Sequence, residues 1–237
     1  MISAIITIQL KKENLESEHG YKLIKQITSG IKAADDWFVG VNTPKQKSIP
    51  LRQKEAVIER LQERARLMTD GRAVSDFFSA FLTSDIKGKR APGLIDIDFA
   101  PSIGRATISI YKPDQKFDDP ARVVLETLVA FIEADTNVEF AFVNVYDKVS
   151  GSFQYYSADY ATFPHRRCLG WMAYVPMEVT RDQLPLAANI VATKGGSIIV
   201  ALNEVFDLTN KEHIKRANQI EMDMNDLGLL AVVDPTF

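Results

Sequence analysis

Of 237 residues, only one is cysteine and three are histidine. A single thiol closes no intramolecular disulfide, which fits a reducing compartment. His19, His165 and His213 form no H-x-x-x-H pair and stand beside no cysteine pair, so no zinc-binding spacing is present. The chain also lacks a G-x-S-x-G elbow, a G-x-x-x-x-G-K-[ST] loop and a G-x-G-x-x-G turn. Its nearest glycine-rich stretch, "TKGGSIIV", places Gly195 and Gly196 before a strand. A phosphate cradle needs the amides of a following helix N-terminus, so this stretch reads as a turn. No apolar run approaches the roughly 18 residues of a membrane span. The opening "MISAIITIQLKKEN" has neither a basic lead nor a small-residue cleavage site and reads as a strand, not a signal peptide. The expected location is therefore cytoplasmic. Basic excess is missing too: 28 Lys and Arg stand against 31 Asp and Glu, a net charge of −3. That balance argues against a dedicated nucleic-acid binder.

What is present is an ordinary globular composition, 46% hydrophobic and 25% charged, in a chain long enough to bury about 70% of its unfolded surface. Ile2, Ala4, Ile6, Ile8 and Leu10 alternate with polar residues, the period of a half-buried strand. A weak helical pattern follows around Tyr21 to Ile27, then a short strand-like run, "DDWFVGV", and a loop, "TPKQKSIP". Leu51, Ile58, Leu61, Ala65 and Met68 mark one face of a helix, broken at Asp70-Gly71. Val74, Phe77, Phe78, Phe81 and Leu82 keep helical spacing and predict a second helix forming a hairpin with the first. "KGKRAPG", residues 87–93, is linker-like and marks a possible sub-boundary.

Beyond it, Ile95, Ile97 and Phe99 and then Ala106, Ile108 and Ile110 alternate, predicting a β-hairpin with a loop of about five residues. Asp119 as N-cap and Pro120 open a helix with the stripe Val124, Leu128, Phe131 and Ile132. "VEFAFVNVY" is apolar on both faces, as a central strand is, and "GWMAYVPMEV" and "GSIIVALNEV" repeat that character. Thr209 with Glu212 predicts a capping box for a last helix with the stripe Ile214, Ala217, Ile220, Met224 and Leu227, ended by Gly228. The fold class is α+β: mixed or antiparallel sheets packed with amphipathic helices, as a single domain over 1–237 or two closely packed halves.

Three places invite chemistry. Asp96 and Asp98 share one strand face and would suit a divalent cation, but no third ligand follows at a suggestive spacing, and the alternation is that of a solvated face. Cys168 has His165, Arg166 and Arg167 upstream, the base and cations a nucleophilic thiol needs. Its place at the head of an apolar strand, three residues before Trp171, reads more simply as packing. "FQYYSADYATF" gathers Tyr155, Tyr156, Asp159 and Tyr160 in a loop, and tyrosine and arginine are the residues most enriched at interface hot spots. The acidic stretches "KPDQKFDDP", with Asp114, Asp118 and Asp119, and "EMDMND", with Glu221, Asp223 and Asp226, read as solvated faces. No catalytic residue, metal or cofactor is assigned.

Several of these stretches together, "DDWFVGV", "RCLGWMAYVP", "LPLAANIV" with "GGSIIVAL", and above all "NKEHIKRANQIEMDMNDLGLL", resemble the immunity protein 52 family of bacterial polymorphic toxin systems from about residue 35 onward. The resemblance rests on hydrophobic and structural motifs. It implies a cytoplasmic antitoxin that binds and neutralises a cognate toxin with a restriction-endonuclease-like nuclease domain, often delivered by a type VI secretion system. Direct contact with nucleic acid or membrane is not expected. The expected interface joins Tyr155, Tyr156, Asp159, Tyr160, Arg166 and Arg167 to the acidic loop of Asp114, Asp118 and Asp119. The competing readings are a small hydrolase or nuclease using Asp96, Asp98 or Cys168, and an adaptor protein of a secretion apparatus.

Overall fold

A computed structural model of the chain describes residues 2–43, 45–68, 78–86, 90–134, 137–149 and 151–233. The strands are β1 (Ile2–Leu10), β2 (Phe38–Val39), β3 (Ile49–Pro50), β4 (Ala80–Thr83), β5 (Ile95–Ala100), β6 (Arg105–Ile110), β7 (Val138–Val149), β8 (Ser152–Tyr155), β9 (Met172–Val175), β10 (Asn189–Thr193) and β11 (Gly196–Val200). The helices are α1 (Ser17–Gly30), α2 (Lys54–Met68), α3 (Pro120–Ala134) and α4 (Lys211–Asp226). The eleven strands join in one sheet, β10-β11-β9-β7-β1-β6-β5-β4-β2-β3, with β8 added to β7. Every strand pair is antiparallel, which confirms the α+β class.

Register assigns the two faces. Ile6 of β1 lies opposite Ile108 of β6 and Val143 of β7, Ile108 opposite Ile97 of β5, and Ile97 opposite Leu82 of β4. All five are within 1% of full burial. These residues form the floor on which α1, α2 and α3 pack: Phe131 of α3 meets Phe99 edge-on at 6.0 Å, and Phe99 meets Phe78 at the same distance. Each buried aliphatic or aromatic side chain contributes about 1.5–3 kcal/mol, so this layer dominates stability. Gly20 in α1 serves it directly, since a Cβ there would stand 2.2 Å from the Phe78 ring.

The opposite face is covered only in part. Asn144, on this side of β7, bonds Ser157 through its side chain at 2.8 Å, and α4 lies over the segment that follows β8. Trp171 is fully buried there, and its Nε1 donates to the Leu202 carbonyl at 3.0 Å. Gly170, before it, has φ +63°, and a Cβ would stand 2.2 Å from the Val143 carbonyl oxygen; only glycine fits that approach. The motif "RCLGW" is scaffold.

Three expectations are corrected. The predicted second helix is a strand at its C-terminal end: Ala80 and Leu82 are fully buried while Phe81 between them is 36% exposed. Pairing of β4 with β5 satisfies an open sheet edge, and that overrides a helical spacing carried by few residues. Val74 and Phe77 of that prediction, and the break at Asp70-Gly71, lie outside the described residues. The linker-like 87–93, of which 90–93 are described, connects β4 and β5, adjacent strands of one sheet. The hairpin loop between β5 and β6 is four residues, a 3-10 turn at Pro101–Ile103 and Gly104. The cap of α4 is Asn210, whose side chain accepts from Glu212 N at 3.0 Å. Thr209 is occupied elsewhere, its hydroxyl and amide both donating to Asp207. By contrast, Asp119 caps α3 as expected, accepting from Arg122 N at 3.0 Å.

Candidate binding surface

The side of the sheet facing away from α1, α2 and α3 can be read row by row from the register. One row runs Asn144, Ile5, Ser109, Asp96, Thr83 and Phe38. The next runs Phe142, Thr7, Thr107, Asp98 and Phe81. Beyond the first, Tyr155 pairs with Tyr146 and Tyr146 with Ser3, and by continuation of the β1–β6 register Tyr111 falls on the far side of Ser3. From Ile5 to Phe38 every residue in the first of these rows is part exposed, and Asp98 and Phe81 are exposed. No described helix lies over these five strands. The result is a stretch of sheet left uncovered by the described residues, with aromatic residues at both ends and hydroxyls and carboxylates between them.

One margin of this surface is the predicted tyrosine segment, which runs beside β7. Residues Tyr156–Tyr160 form a single π-helical turn where a loop was expected. Tyr155 stacks on Tyr146, with ring centroids 5.2 Å apart and planes 21° apart, and Phe153 beside them is 64% exposed. The Asp159 carboxylate accepts from Tyr155 N at 2.7 Å, and the Tyr160 hydroxyl bonds Gln154, so both shape the turn. Tyr156 is not available as a contact: it is fully buried, its hydroxyl donates to Asn218 at 2.8 Å and its ring meets Phe206 edge-on. A phenol with a buried partner serves the core.

Arg166 and Arg167 stand at the other end. The Arg167 guanidinium lies over the Phe140 ring at 4.8 Å, six residues along β7 from Tyr146, about 20 Å at the rise of a strand. Desolvation lowers its pKa, opposed by Glu139. Arg166 donates to the Leu230 carbonyl at 2.9 Å, tying its own segment to the residues that follow α4. Asp114, Asp118 and Asp119 are exposed. Their loop starts where Lys112 N bonds Ser3 Oγ, at the tyrosine end of the sheet, and leads toward α3. The expected single patch is thus divided: Tyr155 and the acidic loop flank one end of the sheet, while the arginines sit at the other.

The remaining candidates resolve by environment. Cys168 is buried, and desolvation, then the charge of Glu221, drives its thiol far above the ordinary range; such a thiol is inert at neutral pH. Among the described residues, no group of three or more His, Cys, Asp and Glu could hold a metal ion. Asp98 is solvated as expected, but Asp96 is half-buried and its Oδ1 is enclosed without a hydrogen-bond donor. Burial pushes the Asp96 carboxyl up, opposed by hydrogen bonds from the Thr83 and Tyr111 hydroxyls to the carboxylate and by the charge of Arg90. Glu221, read from sequence as solvated, is fully buried. Its two oxygens accept from Thr162 N and Leu169 N, both at 2.8 Å, fastening the tyrosine segment to α4.

Sequence periodicity pointed to the Asp96 and Asp98 strand face and to the tyrosines. It missed Tyr111, Tyr146, Phe81 and Phe38 as members of one surface. The signal for them is register, which brings together strands more than 100 residues apart in the chain and leaves no trace in any local window.

No protein-family model matches the chain, and no curated protein matches it. Among solved structures it is similar to the Pseudomonas aeruginosa T6SS protein PA0821, with a TM-score of 0.52 at 12% sequence identity, over 94% of this chain and 76% of that one. At that identity the likeness shows a common fold. Among the described residues, no helix is long and apolar enough to cross a membrane.

Proposed function

We propose that this chain is an immunity protein of the immunity protein 52 type, acting in the cytoplasm, which neutralises a cognate nuclease toxin by forming a stoichiometric complex without turnover or cofactor. The observation that carries the reading is the uncovered sheet surface with Tyr111, Tyr146, Tyr155, Phe153 and Phe81 at its margins. Aromatic side chains left at a surface of this extent are the usual anchors of protein interfaces. Two further facts support it. The fold is similar, over 94% of this chain, to that of a Pseudomonas aeruginosa T6SS protein, and type VI secretion is what the sequence resemblance implies. The burial of Cys168 also removes the thiol on which a cysteine hydrolase would depend. A net charge of −3 suits a protein that must approach a basic phosphate-binding cleft.

Co-expression tests the proposal. The chain is expected to rescue cells from killing by the toxin encoded beside it and to co-purify with that toxin. Killing that continues with both proteins soluble contradicts it. The same secretion-system neighbour favours a second reading, an adaptor of the apparatus, for which the expected result is co-purification with machinery components and no rescue.

A further inference from the structure

We propose that the β10 edge of the sheet pairs with the β10 edge of a second copy of this chain. The two strands run antiparallel about a twofold axis beside Val191, and one sheet continues across both molecules. The inference is independent of the immunity reading. β10 stands at the end of the sheet away from β1, β6, β5, β4 and β2, so each copy keeps its candidate toxin surface.

The first observation is that this edge is unprotected. Among the described residues, β10 pairs with β11 alone. Sheet edges are normally blunted by a charge, a proline, a bulge or extreme shortness. The opposite edge follows that rule, since β3 has two residues and ends in Pro50. β10 carries neither charge nor proline, and its register with β11 runs unbroken from Asn189 to Thr193. Asn189 and Ala192 are exposed, and Ile190, Val191 and Thr193 are part exposed.

The second is which backbone groups are free. Lys194 and Gly195 make a two-residue turn between the paired residues Thr193 and Gly196. Such a turn closes on a hydrogen-bonded pair, and the direction of bonding alternates along the strand. Asn189, Val191 and Thr193 therefore bond β11, and the N–H and C=O groups of Ile190 and Ala192 point outward. Among the described residues, no hydrogen bond from beyond the ladder reaches these four groups. A twofold axis beside Val191 sets Ile190 against the partner's Ala192, and Ala192 against the partner's Ile190, which satisfies all four. The same axis lays Val191 against the partner's Val191 and Asn189 against the partner's Thr193, apolar pairs at the centre and polar pairs at the rims.

The third is charge, which favours a copy of this chain over an unrelated strand. At one end of β10 the Arg181 guanidinium donates to the Ala188 carbonyl at 3.1 Å. At the other end the Lys194 amide donates to the Glu133 carboxylate at 3.1 Å. Residues 188 and 194 are equally distant from 191, so the axis sets Ala188 opposite the partner's Lys194. Arg181 then meets the partner's Glu133, and the contact occurs twice, as an isologous interface requires. The two arginines stay about 20 Å apart. Arg181 and Glu133 are both exposed, and among the described residues neither makes a salt bridge within the chain. Lys32 lines the same groove between α1 and α3 as Glu133 without pairing with it. Asp182 and Lys194, the exposed sequence neighbours at the two ends, are also opposite in sign.

The test measures the mass of the full chain by sedimentation equilibrium over a concentration series. It compares the wild type with Ala192→Pro, Arg181→Glu, Glu133→Arg and the double variant that carries both charge reversals, each checked by thermal denaturation. Proline at 192 removes an outward N–H and leaves the ladder to β11 intact. The wild type is expected to dimerise and Ala192→Pro to be monomeric. Each charge reversal is expected to weaken the dimer on the order of tenfold. The double variant, and an equal mixture of the two single variants, should regain wild-type association, because only this twofold geometry restores both pairs. Should Ala192→Pro fold poorly, the charge-reversal set decides alone. A wild type still monomeric at about 0.1 mM, or a dimer that ignores the charge reversals or survives Ala192→Pro, overturns the inference. So does a monomeric wild type whose toxin binding is lost in a folded Ala192→Pro, which would assign the edge to a strand of the toxin.

Discussion

At the scale of single residues, Asp96 shows burial set against ionisation. Desolvation raises its folded-state pKa above the ordinary value of 3.8, so the folded protein holds the proton more tightly than the unfolded chain does. Ionisation therefore weighs against folding as pH rises through and above that value, and the penalty is fully present at neutral pH. Asp96→Asn is expected to melt higher than the wild type at pH 7, with the difference shrinking as pH falls below about 4. Thermal denaturation at the two pH values checks this; equal melting at both contradicts the environment assigned to Asp96. Cys168 and Tyr156 show the opposite case. Beside reactive-looking neighbours in sequence, each is enclosed by the core, and which of two plausible roles holds is decided by burial.

Among the elements, the decisive contact is between α4 and the segment beside β7. Glu221 accepts two backbone amides from residues 162 and 169, and Asn218 receives the Tyr156 hydroxyl, so one helix face fixes the margin of the candidate surface. Glu221→Ala leaves both amides without an acceptor and is expected to destabilise the protein by about 3–5 kcal/mol. Glu221→Gln, which keeps one acceptor oxygen, should lose less. A thiol reagent gives an independent readout: Cys168 should react very slowly in the wild type and markedly faster in Glu221→Ala as the segment loosens. Unchanged stability and reactivity would contradict the clamp.

The contrast between legible and hidden elements has a physical basis here. β1, β5, β6, α3 and β7 were readable because one face or both are buried along their whole length, which writes the period into the residues. β4 was misread because "FFSAFL" is too short to distinguish a period of 3.6 from one of 2, and its strand state comes from pairing with β5. Glu221 was misread because it interrupts the apolar stripe of α4 and resembles its exposed neighbours; only the two amides it meets, both more than 50 residues away in the chain, show its role.

Over the whole molecule, a single sheet collects β-strands from the first residues to Val200, with three helices filling one side and α4 covering part of the other. That asymmetry produces the candidate surface: among the described residues, the helices cover the β9 and β7 side and leave β1, β6, β5, β4 and β2 open. Sequence reasoning found the fold class and one margin of that surface, but register and layer assignment were needed to find its centre. The proposed immunity function requires that the chain occupy its toxin one to one. Titrating the nuclease activity of the toxin with this chain tests it most directly. The expected result is a linear loss of activity that ends at one equivalent and does not deepen with incubation. Inactivation by a small fraction of an equivalent, progressing with time, or full activity in the presence of excess chain, would contradict it.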